Sequence, residues 1–128
     1  MTKETKLTFQ QLNNALQKLE EVVILPLRSQ KYEVDLTIHR FKFTIELFWK
    51  ALRKELIDDH KIIANSPKSV LQEAFANNLI ENEDIWIAMI KDRNLTSHTY
   101  HEKFALKIYT NIKTYTPFLR LSLNNLLS

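Results

Sequence analysis

Apolar residues recur along this chain at steps of three and four, the spacing of one face of an α-helix. The longest such run is Val34, Ile38, Phe41, Ile45, Phe48, Leu52 and Leu56, stepping by four, three, four, three, four and four. It predicts a single helix of about six turns with a stripe close to a 3.5 repeat. Asp58, Asp59 and His60 close it. Upstream, Leu12, Leu16, Leu19 and Val23 mark a first helix. Thr8 reads as its N-cap, with Gln11 completing a capping box and Leu7 and Leu12 a hydrophobic staple. Pro26 ends or kinks this helix.

Ser66-Pro67 predicts the start of a third helix, with serine as cap and proline in the first helical position. That helix carries Val70, Leu71, Ala74 and Phe75 and stops at Asn77-Asn78, asparagine being the next best left-handed residue after glycine. A fourth helix covers residues 83–92, with Ile85, Trp86, Met89 and Ile90 apolar. Residues 93–98 read as a turn into a fifth helix, residues 99–113, carrying Phe104, Ala105, Ile108 and Ile112. Thr116-Pro117 repeats the cap-plus-proline start, and Phe118, Leu119, Leu121, Leu123, Leu126 and Leu127 form a last apolar helix. The expected fold is all-α: an antiparallel four-helix bundle with one or two additional short helices, a single domain over residues 1–128.

Composition narrows this further. The 128 residues include no glycine, where average usage predicts roughly nine. Tight hairpins depend on glycine at positive φ and helices do not, so sheet architectures are disfavoured. There is no cysteine, which excludes disulfides, thiolate nucleophiles and zinc–thiolate sites. The chain opens on polar residues rather than an apolar signal core, and its longest uninterrupted apolar run is residues 85–90. A cytoplasmic protein with no membrane span is expected. A net charge of +3 permits an anionic ligand without demanding one.

The densest chemistry lies in residues 93–100, Arg-Asn-Leu-Thr-Ser-His-Thr-Tyr. Arg93 is a permanent cation with a fork that suits phosphate. His98 is the side chain best matched to proton transfer near neutrality. Tyr100 offers a hydroxyl that can bond, orient or be modified. Each also has an ordinary reading. Arg93 could pair with Asp92, Glu102 or Glu46, His98 could cap a helix, and Tyr100 could pack at a bundle end. On an unbroken helix Arg93 and His98 stand about 140° apart. They cooperate only across a helix break, for which Asn94, Thr96 and Ser97 are suited, or across a two-fold axis between two chains. His98, His101 and Glu102 could share a helix face, but no fourth ligand accompanies them and no metal or other cofactor is expected. Trp49 and Trp86 read as core, and Lys50, Arg53 and Lys54 as a solvated basic face.

Arg93-Asn94, His98 and Tyr100 resemble the signature of HEPN proteins encoded beside minimal nucleotidyltransferases. The resemblance extends to the block Arg40-Phe41, Thr44, Glu46-Leu47 and Trp49-Lys50, then to Ser66-Pro67, Ala74-Phe75, Leu79-Ile80 and Trp86. On these residues the chain is identified as a member of the nucleotidyltransferase substrate-binding proteins, within the HEPN superfamily of helical bundles. Two positions depart from the pattern: Lys42 replaces a frequent acid, and Asn78 a frequent glycine. The resemblance implies a homodimer whose cleft cleaves RNA without metal. His98 would serve as general base or acid, Arg93 would stabilise charge on the phosphorus oxygens, and Asn94 would orient Arg93 or bond a phosphate oxygen. It also implies that Tyr100 accepts AMP from a nucleotidyltransferase encoded nearby, which would silence a ribonuclease toxin. The same residues suit a non-catalytic substrate-binding subunit of a two-component nucleotidyltransferase. The chain has no Gly-Ser plus Asp-x-Asp pattern of its own, so it is not the transferase.

Overall fold

The computed structural model describes residues 1–97 and 102–128. Five helices account for most of them: α1 Lys3–Val23, α2 Lys31–His60, α3 Pro67–Ala76, α4 Glu83–Ser97 and α5 Glu102–Leu127. Four are long and one, α3, is short, as the apolar spacing predicts. All seven residues of the long stripe are buried on α2. They meet Phe9, Leu12, Leu16 and Leu19 of α1, Val70 and Ala74 of α3, Trp86 and Met89 of α4, and Ile108, Ile112, Leu119 and Leu123 of α5 in one core. Each of the larger side chains contributes about 1.5–3 kcal/mol by leaving water. Aromatic rings knit the layers together. Phe48 meets the edge of Trp86 at 4.8 Å, Trp86 meets Phe118 at 5.8 Å, and Phe41 stacks on Tyr115 at 5.7 Å.

Capping explains several helix ends. At α3 the Ser66 hydroxyl accepts from the Ser69 N–H at 3.2 Å, and the Ser69 hydroxyl accepts from the Ser66 N–H at 3.1 Å. Pro67 fills the first helical position, and Asn78 turns the chain at φ 60°. Lys61 ends α2 at φ 57°, and the Ile62 N–H closes back on the Leu56 carbonyl at 2.9 Å.

Three boundaries differ from the sequence expectation. Helix α1 begins at Lys3, capped by Thr2, whose hydroxyl accepts from the Thr5 N–H at 3.1 Å. Thr8 lies inside the helix, donating to the Glu4 carbonyl at 3.0 Å, and Leu7 faces solvent instead of stapling the end. The earlier start is supported from a distance: Thr2 and Thr5 both donate to Asp58 on α2. Helix α4 continues through Ser97, so no turn follows Asp92. Helix α5 runs unbroken through Pro117. The buried Thr116 hydroxyl donates backward to the Ile112 carbonyl at 2.7 Å rather than capping a new helix. Ile108, Ile112, Tyr115, Leu119 and Leu123 form one buried face across the proline. Burial of that face exceeds the roughly 3 kcal/mol that an interior proline costs. Arg120, beyond the proline, grips α1 through Glu20 at 2.6 and 3.0 Å and Asn13 at 2.6 Å.

Where α2 meets the start of α1, Glu55 is only 8% exposed. Burial first, and then the neighbouring Asp59, push its carboxyl up to about 7. The folded state therefore favours protonated Glu55. Its contribution is complete below the ordinary carboxylate range, near 4.5, and is lost as pH rises through about 7. Glu55→Gln should be more stable than the wild type at pH 8 and gain little at pH 4.5, as read by thermal melts at both values.

Candidate functional site

The last turns of α4 carry the first half of the signature. Successive helical residues point about 100° apart, and Asp92 and Arg93 use that divergence to reach different neighbours. Asp92 is buried toward α5, where its Oδ2 accepts from the Tyr115 hydroxyl at 2.7 Å and the Asn111 amide at 3.1 Å. Two donors on one carboxylate oxygen offset much of the cost of burying the charge. Burial, followed by the bond to Asp92, holds the Tyr115 phenol well above its ordinary range, so it remains a donor at any working pH.

Arg93 turns toward α2. Its Nη2 donates to Glu46 Oε2 at 2.5 Å, and its Nη1 donates to Asn94 Oδ1 at 2.9 Å. The side chain keeps 26% of its surface open to solvent. Glu46 also faces Lys50, at 3.7 Å. Lys42 Nζ donates to the Thr96 carbonyl at 3.4 Å, and the Thr96 hydroxyl donates to the Arg93 carbonyl at 2.7 Å. Lys42 thus contacts the end of α4, where a cation is favoured by the helix dipole.

Of the residues expected to carry chemistry, the neighbours Arg93 and Asn94 are joined by a hydrogen bond from the guanidinium to the Asn94 side-chain oxygen. The ion pair between Arg93 and Glu46 coexists with that arrangement. His98 and Tyr100 lie outside the described residues, as does His101. The expected helix break does not fall between Arg93 and Ser97, since α4 is continuous there. The basic face resolves into ordinary pairs: Lys50 with Glu46, Lys54 with Glu4 at 3.6 Å, and Arg53 with Asn65 at 3.2 Å. The Asp92 network is not part of the sequence expectation. Its signal is an acid at a core position, because Ile85, Met89, Asp92 and Thr96 follow one another at helical spacing. Among the described residues no group of three histidines or acids is placed to hold a metal ion, and no helix is long and apolar enough to cross a membrane.

The family model described as nucleotidyltransferase substrate binding protein like matches residues 7–128. A Haemophilus influenzae protein described as a probable ribonuclease HepT is 35% identical over 79 residues, covering 59% of this chain and 54% of that protein. The match thus spans about half of that relative's length. A crystal structure of a Thermus thermophilus protein superposes with a TM-score of 0.81 at 33% identity, covering 90% of this chain and 98% of that one. A second solved structure, from Haemophilus influenzae, is described as revealing the fold of a substrate binding domain of a nucleotidyltransferase. It has a TM-score of 0.76 at 27% identity and covers 94% of this chain and 99% of its own.

The Asp92 network makes a direct prediction. Tyr115→Phe leaves a buried carboxylate one donor short and should destabilise the fold by about 1–3 kcal/mol in urea unfolding. Asp92→Asn in the same background should recover part of that loss, because the charge no longer has to be held in the core.

Proposed function

Because the chain belongs to the family of nucleotidyltransferase substrate-binding-like proteins, we propose that it is the partner of a minimal nucleotidyltransferase in a toxin–antitoxin-type module. In this reading it is a metal-independent endoribonuclease, silenced when the partner adenylates Tyr100. The observation that carries the reading is the held guanidinium. Arg93 is fixed by Glu46 on one side and Asn94 on the other, still reaches solvent, and lies just upstream of His98 and Tyr100.

The chemistry follows from those groups. His98 takes the proton of a ribose 2′-hydroxyl, and the freed oxygen attacks the adjacent phosphorus. The bond to the 5′-oxygen breaks, and that oxygen leaves with a proton from an imidazolium. A 2′,3′-cyclic phosphate remains on one fragment. Arg93 stabilises the charge that develops on the phosphorus oxygens, and Asn94 keeps its fork aligned. A continuous helix from Glu83 to Ser97 supports assembly across a two-fold axis, in which two copies of the chain face one another with their signatures. The off-state is also local. The Tyr100 phenol oxygen attacks the α-phosphorus of ATP, pyrophosphate leaves, and the phenol proton passes to solvent. The adenylate sets a negative charge and a bulky group beside Arg93 and His98.

The description of the Haemophilus structure favours a second reading, a non-catalytic subunit that presents a substrate to the transferase. Expression of the chain alone separates the two. The enzyme reading predicts growth arrest and cut RNA, a dimer by light scattering, and a loss of at least about 100-fold in cleavage for Arg93→Ala or His98→Ala. Equal behaviour of wild type and His98→Ala would end that reading. With the partner and ATP, the mass should rise by one or more adenylates, and Tyr100→Phe should prevent it.

A further inference from the structure

Helix α4 is apolar on more than its buried side. Trp86 and Met89 lie in the core, yet Ile87 is 51% and Leu95 45% exposed. Between this outer side and α3 runs a groove of about 600 Å³, whose apolar lining is Ile87, Leu95, Ile90 and Leu71. That volume is typical of small-molecule sites, which are mostly apolar with a few polar groups that fix the ligand.

The polar groups here are of two kinds. Lys68 and Lys91 line the groove, and neither is in an ion pair within 4.0 Å among the described residues. Gln72 and Asn94 add two carboxamides. Asn94 Oδ1 is already occupied by Arg93, which leaves its Nδ2 to donate to a ligand. Glu83 is the one acid in the lining. It lies 11 residues before Asn94 on α4, roughly 16 Å along the axis, so an anion fits at the end away from it. Both lysines are exposed, and their ammonium groups offer an anion two counter-charges. The lining suits an apolar body with an edge that hydrogen-bonds and a negative charge.

We propose that the groove between α3 and α4 binds a ribonucleotide. The base lies against Ile87, Ile90 and Leu95, its edge meets Gln72 and Asn94, and its phosphate pairs with Lys68 and Lys91. The proposal rests on the functional reading above for its role, since RNA and an adenylyl donor both bring ribonucleotides to Arg93. Through Asn94 the groove is continuous with that residue, so an occupied groove would hold a strand or a free nucleotide beside the reactive segment.

The test is a titration of the full chain, isotopically labelled, followed by NMR with AMP, hexaadenylate RNA and inorganic phosphate as probes. AMP should shift the amides of Lys68, Ile87 and Leu95 to saturation, and phosphate alone should not. Saturation by hexaadenylate without AMP would assign the site to a nucleotide within an RNA strand, which also supports the proposal. Ile87→Asp, at an exposed position, should weaken binding about tenfold or more, and so should the pair Lys68→Glu with Lys91→Glu. Unperturbed groove amides with both AMP and RNA would overturn the proposal, as would unchanged affinity in both variants. If the groove stays silent while the chain still cuts RNA through His98, the groove fails and the functional reading stands. If it fills but no RNA is cut, the functional reading fails instead.

Discussion

The bundle depends on the apolar face of α2. That helix is 30 residues long, roughly 45 Å, and its stripe touches every other helix. The other helices meet one another as well, but among the described residues only α2 contacts all four. Its buried side therefore works as a ruler. Phe48 sets the position of Trp86 and hence of α4, and Phe41 sets that of Tyr115 and hence of α5. The same helix presents Glu46 to Arg93. One element thus aligns both the core and the Arg93 end of α4, and the charge contact is geometrically tied to the apolar one.

The rotation of α4 about its own axis matters for the site, and two contacts fix it from opposite sides. Asp92 is drawn into the interior by Tyr115 and Asn111, while Arg93 is drawn along the surface by Glu46. The two interactions differ in strength. The half-buried ion pair is partly screened by solvent and is worth on the order of 1 kcal/mol. The buried acid with two donors carries more, since loss of a donor strands a charge. The inner contact therefore determines the helix phase, and the outer one aims the guanidinium. Arg93 is aimed in part by the inward turn of its neighbour in sequence, Asp92.

Much of this was legible from residue spacing. The stripe on α2 and the Ser66-Pro67 start of α3 are strong signals because period and cap chemistry agree. Thr8 was a weaker signal, since its capping pattern was local while the true start at Thr2 gains from Asp58, over 50 residues away in sequence. Pro117 was ambiguous for a physical reason. Thr-Pro opens a helix when the upstream face ends, but here the buried face continues past it, and packing outweighs one missing hydrogen bond. Within the site, the adjacency of Arg93 and Asn94 and the pairing with Glu46 could be anticipated. The inward turn of Asp92 could be read only from an acid at a core position, and the groove beside α3 needed the relative placement of two helices.

The absence of glycine acts on the other side of the folding equilibrium. Gln30, Lys61, Asn78 and Asn82 all adopt φ between 56° and 60°, and a non-glycine residue there costs roughly 1–2 kcal/mol, less for asparagine. Yet each glycine that a chain lacks removes about 0.4–1 kcal/mol of freedom from the unfolded ensemble. With roughly nine fewer than an average chain of this length, the restriction of the unfolded state is of the same order as the strain at those four turns. Strained corners are tolerated because the unfolded polymer is itself stiffer, and part of the stability of this bundle resides in conformations the chain never had to give up.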